Sequence, residues 1–314
     1  MAFTPPKESY SGKVYPVTIG TGEGAVTFGG ENVLTFHGFE GDVPNRPVIA
    51  YEIQDVPPAD WPEEARKPCE GVSGDPVQWA KFCEDSLKAR AIALRLVGTH
   101  PDRENRSAED AAKTVKDILA AVKVPLIILG SNHAEKDSSV LVTVAEAARG
   151  HNCVIGKAQE ANYKTIVAAA MANDHKLIAM SELDINLSKQ LNILITQMGF
   201  AKENLITDPM SSALGYGLEY TYSVMERIRL AALSQNDAIM QPPMVADIGM
   251  YVWKIKETQA TEADLPEWGS LKERGVAWEA VSAVSFLMAG TELLIMRHPE
   301  AVEAVEKFIG EMEG

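Results

Sequence analysis

The chain has 314 residues, 46% of them apolar, and its 29 Lys+Arg against 44 Asp+Glu leave a formal charge of −15. That much apolar side chain supports a substantial core and excludes wholesale disorder. The acidic balance excludes the basic face that a nucleic-acid binder or a polybasic membrane anchor needs.

In chain order, residues 1–46 read as a β-rich extension. Val14–Gly20, Ala25–Gly29 and Val33–Phe36 are short strand-like runs punctuated by glycines. Thr18–Gly24 has the glycines of a phosphate loop, but Ala25–Phe28 continues as a strand rather than a helix, so a plain hairpin turn is expected.

From Pro47 the pattern becomes an alternation, and residues 47–314 are expected to form one barrel. Strand-like runs occur at Val48–Ile53, Ala91–Val97, Pro125–Gly130, Asn152–Lys157, Lys176–Ser181, Leu205–Asp208, Ala238–Gln241 and Glu292–Arg297. Amphipathic segments fall at Asp75–Lys88, Ala108–Val122, Glu135–Arg149, Glu160–Asn173, Asn186–Met198, Ala213–Leu233, Trp278–Ala289 and Pro299–Glu311. Asp75 before Pro76 is a helix-start signal. Eight strands, each followed by a helix, predict an α/β fold of the (β/α)8 TIM-barrel type with an N-terminal β-hairpin extension.

Sites on such a barrel gather at the carboxyl ends of the strands. The side chains expected there include Glu52, Gln54, Arg95, His100, Asn132, Lys157, Glu182, Asp184, Asp208, Ser211, Gln241 and Arg297. Glu182 and Asp184 could pair as acid and base, but Lys157 is expected to neutralise one of them. No stretch is long and apolar enough for a membrane span, and no signal peptide is read, so a cytoplasmic protein is expected. Cys69, Cys83 and Cys153 are too scattered for a metal knuckle and too few for an iron–sulfur cluster. The histidines lack the spacing of a helical metal pair, so no metal site is expected. Met240–Trp278 is rich in Met and Trp; it suits either a protein interface or packing of a loop onto its own barrel.

Several strings carry a family resemblance: Phe36–Gly41, Pro44–Glu52, Asp60–Trp61–Pro62, Ile127–Asn132 and Gln241–Pro242–Pro243–Met244. The chain resembles the small subunit of the corrinoid iron–sulfur protein, whose archaeal counterpart is the delta subunit of the acetyl-CoA decarbonylase/synthase complex. The resemblance implies a (β/α)8 barrel paired with a large subunit that carries the four-iron cluster and most of the corrinoid site. It implies a methyl carrier of the reductive acetyl-CoA (Wood–Ljungdahl) pathway. Its cobalamin takes a methyl group from methyltetrahydrofolate through a methyltransferase and passes it to acetyl-CoA synthase/CO dehydrogenase. The DxHxxG signature of base-off cobalamin binding is absent, so this chain is expected to cover the cofactor rather than hold it alone. On barrel geometry, Arg95, Asn132, Ser211, Gln241 and Arg297 are the expected contacts to the corrin amides, with no catalytic residue. Trp253 and Trp268 are the expected interface anchors. Two other readings stay open: a pterin-binding barrel methyltransferase using Asn132, Asp184 or Asp208, and a scaffold barrel with protein contacts only.

Overall fold

The computed structural model describes residues 6–313. Strands β1 (Val17–Ile19) and β2 (Val26–Phe28) form an antiparallel hairpin joined by a tight turn through Gly22–Gly24. The expected hairpin turn is therefore present. Val33–Phe36 forms bends and turns instead of a third strand.

Eight parallel strands follow: β3 (Val48–Gln54), β4 (Ala91–Arg95), β5 (Leu126–Leu129), β6 (Val154–Ala158), β7 (Lys176–Met180), β8 (Leu205–Asp208), β9 (Val245–Asp247) and β10 (Leu293–Met296). Their order is β8-β7-β6-β5-β4-β3-β10-β9. A bridge between Thr207 and Met244 joins the two ends and closes the barrel. The helices are α1 (Glu63–Arg66), α2 (Pro76–Asp85), α3 (Ala108–Ala121), α4 (Ala134–Ala147), α5 (Tyr163–Ala172), α6 (Ile185–Gln197), α7 (Leu218–Leu233), α8 (Ile248–Val252), α9 (Lys256–Gln259), α10 (Leu271–Met288) and α11 (Pro299–Glu313). Asp75 caps α2 as expected, accepting from the amides of Val77 and Gln78 with Pro76 in the first turn.

Seven strands fall where the sequence pattern puts them. The exception is the seventh barrel strand, expected at Ala238–Gln241 and found at Val245–Asp247. The Pro242–Pro243 pair leads into the strand, and the Pro243 carbonyl accepts from the Thr207 amide at 2.9 Å. Ala238–Met240 is a turn. Two helix starts also move, to Leu218 for α7 and Leu271 for α10.

Strand alternation sorts the barrel interior into two levels. The lower level is apolar: Val48, Ala50, Ala91, Ala93, Ile127, Leu129, Ile178, Ile206, Val245 and Ile295 pack with Val17, Ile19 and Phe28 of the hairpin in one cluster. The hairpin thus plugs the amino end of the barrel. Asn152 fastens it there, donating to the carbonyls of Thr18 and Gly20, each at 3.0 Å. Gly20 has φ of 78°, and a Cβ on it would stand 2.7 Å from Pro125; that turn requires glycine. A second apolar cluster fills the space between strands and helices. Two residues further along β3, β4, β8, β9 and β10, the inward positions change from apolar to charged, and that change creates the site.

Candidate functional site

Inward alternation on β3 places Glu52 above Val48 and Ala50, and on β4 it places Arg95 above Ala91 and Ala93. The same step brings Asp208 in from β8, Asp247 from β9, and Arg297 just past β10. Lys157 has the wrong parity on β6. A register irregularity between Ile155 and Ala158 turns it inward.

These six buried side chains form one continuous chain of ion pairs across the barrel mouth, from Arg297 through Glu52, Arg95, Asp247 and Lys157 to Asp208. Arg95 Nε donates to Glu52 at 3.1 Å, and its Nη2 donates to Asp247 at 2.7 Å. Lys157 Nζ lies 2.7 Å from Asp247 Oδ2 and 2.8 Å from Asp208 Oδ2. Arg297 Nη2 donates to Glu52 at 2.9 Å while its guanidinium stacks 4.3 Å from the ring centre of Trp61. Three acids face three bases, so the chain of pairs is neutral. Burial opposes the charge on Glu52, but Arg297 and Arg95 outweigh it and hold the carboxyl below its usual range. Burial likewise opposes the Asp247 charge, and Arg95 and Lys157 hold that carboxyl well below the usual range. Burial disfavours the charged Lys157, yet Asp208 and Asp247 keep its pKa raised. Glu52, Asp247 and Lys157 are thus each held in the charged form. The chain of pairs is a fixed, charge-balanced floor, unlike an acid–base centre.

Above the floor, a cavity of about 250 Å³ is lined by Gln54, Arg95, His100, Asn132, Lys254 and Arg297, among others. Buried polar atoms without hydrogen-bond partners also gather at this end: Gln54 Oε1, Arg95 Nη1, Ser181 Oγ, Ser211 Oγ and Asp247 Oδ1. Buried polar groups are normally paired, so this concentration marks a place that water or a ligand completes. Among the described residues, no group of three or more His, Cys, Asp and Glu side chains could hold a metal ion.

The family model for the CO dehydrogenase/acetyl-CoA synthase delta subunit matches residues 16–308. The chain belongs to this delta-subunit family. It is 34% identical to the acetyl-CoA decarbonylase/synthase complex subunit delta of Methanothermobacter thermautotrophicus over 98% of this chain and 78% of that one. It is also 34% identical to that of Methanocaldococcus jannaschii, over 96% and 75%. Among solved structures, it is similar to dihydropteroate synthase from Xanthomonas albilineans in complex with 7,8-dihydropteroate. The TM-score is 0.58 at 14% identity, covering 86% of this chain and 95% of that one. Yersinia pestis dihydropteroate synthase with a sulfonamide drug gives a TM-score of 0.57 at 16% identity, over 85% and 94%. This second likeness concerns the barrel fold alone.

Within this delta-subunit barrel, the expected contact residues separate. Arg95, Asn132 and Arg297 line the same cavity. Ser211 is buried just past β8 and is not part of its lining. Gln241 is misplaced: it precedes β9 and so lies at the amino end of the barrel. Its carbonyl accepts from the Tyr15 amide at 2.8 Å, and its side chain donates to Asn236 at 2.8 Å. The displaced strand caused the error. Lys157 does not neutralise Glu182 or Asp184 but pairs with Asp208 and Asp247. Asp184 instead caps α6, accepting from the Asn186 and Leu187 amides.

The expected anchors also change. Trp253 is fully buried, donates to Glu279 Oε2 at 2.9 Å and stacks on His298. Helix α10 closes over it at Gly275, where a Cβ would stand 2.4 Å from the indole. Trp253 therefore packs the loop onto its own barrel. Trp268 is half-buried, with Lys256 and Arg274 over its ring at 5.6 and 5.5 Å. Two exposed aromatics, Tyr216, 90% accessible, and Tyr220, 63% accessible, lie on the segment leading from β8 into α7. Their sequence signal was slight: Gly215-Tyr216-Gly217, an aromatic between two glycines beyond a strand end.

Proposed function

We propose that this chain is the cofactor-covering small subunit of a corrinoid iron–sulfur methyl carrier. In this reading it pairs with a large subunit that holds most of the corrinoid site and the iron–sulfur cluster, and the pair serves a methyltetrahydrofolate:corrinoid methyltransferase and acetyl-CoA synthase/CO dehydrogenase. The observation that carries this reading is a buried floor whose charges are paired internally beneath a rim that offers uncommitted hydrogen-bonding groups. Such a surface suits a large, neutral, amide-fringed ligand that needs orientation and shielding rather than acid–base help.

The residues fit that ligand on one side only. Asn132 and Gln54, with the unpartnered Nη1 of Arg95, supply both donors and acceptors to carboxamides. In this reading the partner supplies the lower face. Bound cobalamin supplies methyl acceptance and release. This chain holds the ring's amides, excludes water with its rigid floor, and presents Tyr216 and Tyr220 to the partner.

A pterin-binding methyltransferase is less well supported. Asp184 is committed to capping α6, and Asp208 to Lys157 and the Met210 amide, which leaves Asn132 alone among the three expected pterin contacts. Purification of the chain from its native host, with a visible spectrum and the partner's mass, tests the proposal. A co-purifying large subunit and a corrinoid spectrum are expected. Isolation as a single chain that binds methyltetrahydrofolate would replace the carrier with a methyltransferase.

A further inference from the structure

The cavity over Arg95 has a feature that a neutral amide-fringed ligand does not require. Four cationic side chains line it: Arg95, Arg103, Lys254 and Arg297. In a chain with a formal charge of −15, diffuse attraction of anions is unfavourable, so cations crowded into one cavity are a local arrangement. Two carboxylates also line it. Asp60 approaches Arg103 only to 3.8 Å, and the Asp102 side chain is 92% exposed, beside His100 at 3.9 Å. Lys254 forms no ion pair within 4 Å of a carboxylate among the described residues. Burial depresses its pKa, and the nearby guanidinium of Arg297 depresses it further.

Arg95 supplies the independent second observation. It is nearly fully buried, with Nε held by Glu52 and Nη2 held by Asp247. Its Nη1 has no partner. The guanidinium is thus locked by two carboxylates with one donor edge left over at the cavity floor. Arg297 is locked in the same way, by Glu52 and the face of Trp61. Guanidinium groups held in place before binding lose little freedom on meeting a carboxylate or phosphate, and such charge-assisted hydrogen bonds are among the stronger ones.

We infer that the cavity bounded by Arg95, Arg103, Lys254 and Arg297 is a binding site for the oxyanion group of a small molecule. The fixed Arg95 edge and Arg297 form the floor, and Lys254 and Arg103 are the mobile cations that close on the anion. A volume of about 250 Å³ accommodates a phosphoryl group or a short dicarboxylate. This inference gives the free Arg95 edge to an oxyanion rather than to a corrin amide, and anion binding to the chain alone is measured without any corrinoid, so its failure and that of the corrinoid reading are read separately.

Calorimetry of the full chain at low ionic strength, with inorganic phosphate in one arm and glutarate in the other, tests it. Lys254→Gln and Arg103→Gln remove only the outer cations and leave the buried ion pairs intact. Lys113→Gln on α3 makes the same change of net charge away from the cavity. A dissociation constant near or below about 1 mM is expected for one of the probes. Each cavity substitution should weaken it about tenfold, the loss of one charge-assisted hydrogen bond, and Lys113→Gln should not. Tighter phosphate binding identifies a phosphoryl ligand, and tighter glutarate binding a carboxylate. Failure of both probes to bind at about 10 mM, or binding that is unchanged in both cavity variants, would overturn the inference.

Discussion

Asp247 Oδ2 accepts a hydrogen bond from Arg95 Nη2 across the barrel at 2.7 Å, joining residues 152 positions apart, and the same oxygen takes Lys157 Nζ at 2.7 Å. One carboxylate oxygen therefore ties β4, β6 and β9 together at the mouth. Asp247→Ala leaves two buried cations short of a partner, and breaking one side of a buried pair costs about 3–5 kcal/mol. Urea unfolding should show that loss at pH 7. Because the folded Asp247 carboxyl is held below its unfolded value, its contribution is fully present above a pH of about 4 and fades as the pH falls further. The variant's deficit should shrink in acid; a deficit independent of pH would contradict the pairing.

Asp55, just past β3, behaves in the opposite sense. Burial pushes its carboxyl up to about 6, although the Gly98 amide and Arg106 favour its charged form. Its Oδ1 accepts from the Gly98 amide at 2.9 Å while Oδ2 has no partner. The folded state thus keeps a proton that the unfolded chain releases, and stability declines as pH rises from about 4 to about 6. Asp55→Asn keeps the acceptor for Gly98 and removes the titration. Relative to wild type it should gain up to about 3 kcal/mol on going from pH 4 to pH 7, read from denaturation midpoints. Parallel pH profiles for the two proteins would refute this.

Trp253 and Tyr216 should separate folding from assembly. Trp253→Ala removes a fully buried indole and should cost about 3–5 kcal/mol of stability. Tyr216→Ala with Tyr220→Ala should leave the melting temperature nearly unchanged. Sedimentation with the large subunit should then show affinity weakened by about 2 kcal/mol or more. Unaltered affinity would remove the tyrosines from the interface.

The barrel itself was legible because strand and helix periods alternate cleanly along most of the chain. Leu205–Asp208 was located to the residue. The seventh barrel strand was not, because Val245-Ala246-Asp247 is only three residues long and carries a charge at its end, whereas Ala238–Gln241 reads as a better strand. Gln241 went to the wrong end of the barrel with it. Arg95 and Arg297 were recognised as rim residues, and both line the cavity. Their real partners were invisible, since Glu52 lies 43 and 245 positions away and only barrel closure brings the three together. Lys157 was matched to Glu182 and Asp184 beyond the neighbouring strand because the irregularity that turns it inward leaves no mark in the residue pattern.

The cysteines give a direct chemical check. Cys69, Cys83 and Cys153 are all buried, and burial raises each thiol pKa, to about 11 for Cys69 and about 12 for the other two. Thiols held protonated in this way are poor metal ligands. After anaerobic reconstitution with iron and sulfide, the isolated chain should carry no stoichiometric four-iron cluster. Four irons per chain with a matching sulfide content would contradict the assignment of the cluster to the partner.

The central claim is that this barrel provides half of a shared corrinoid site. A surface that meets one face of the ring leaves the other in water, so binding should be coupled to assembly. Calorimetry of cobalamin against this chain, against the large subunit and against the pair measures that coupling. We predict weak or undetectable binding to the chain alone and the tightest binding to the pair. Micromolar or tighter binding to this chain alone, or equal affinity for the large subunit with and without it, would contradict the shared site.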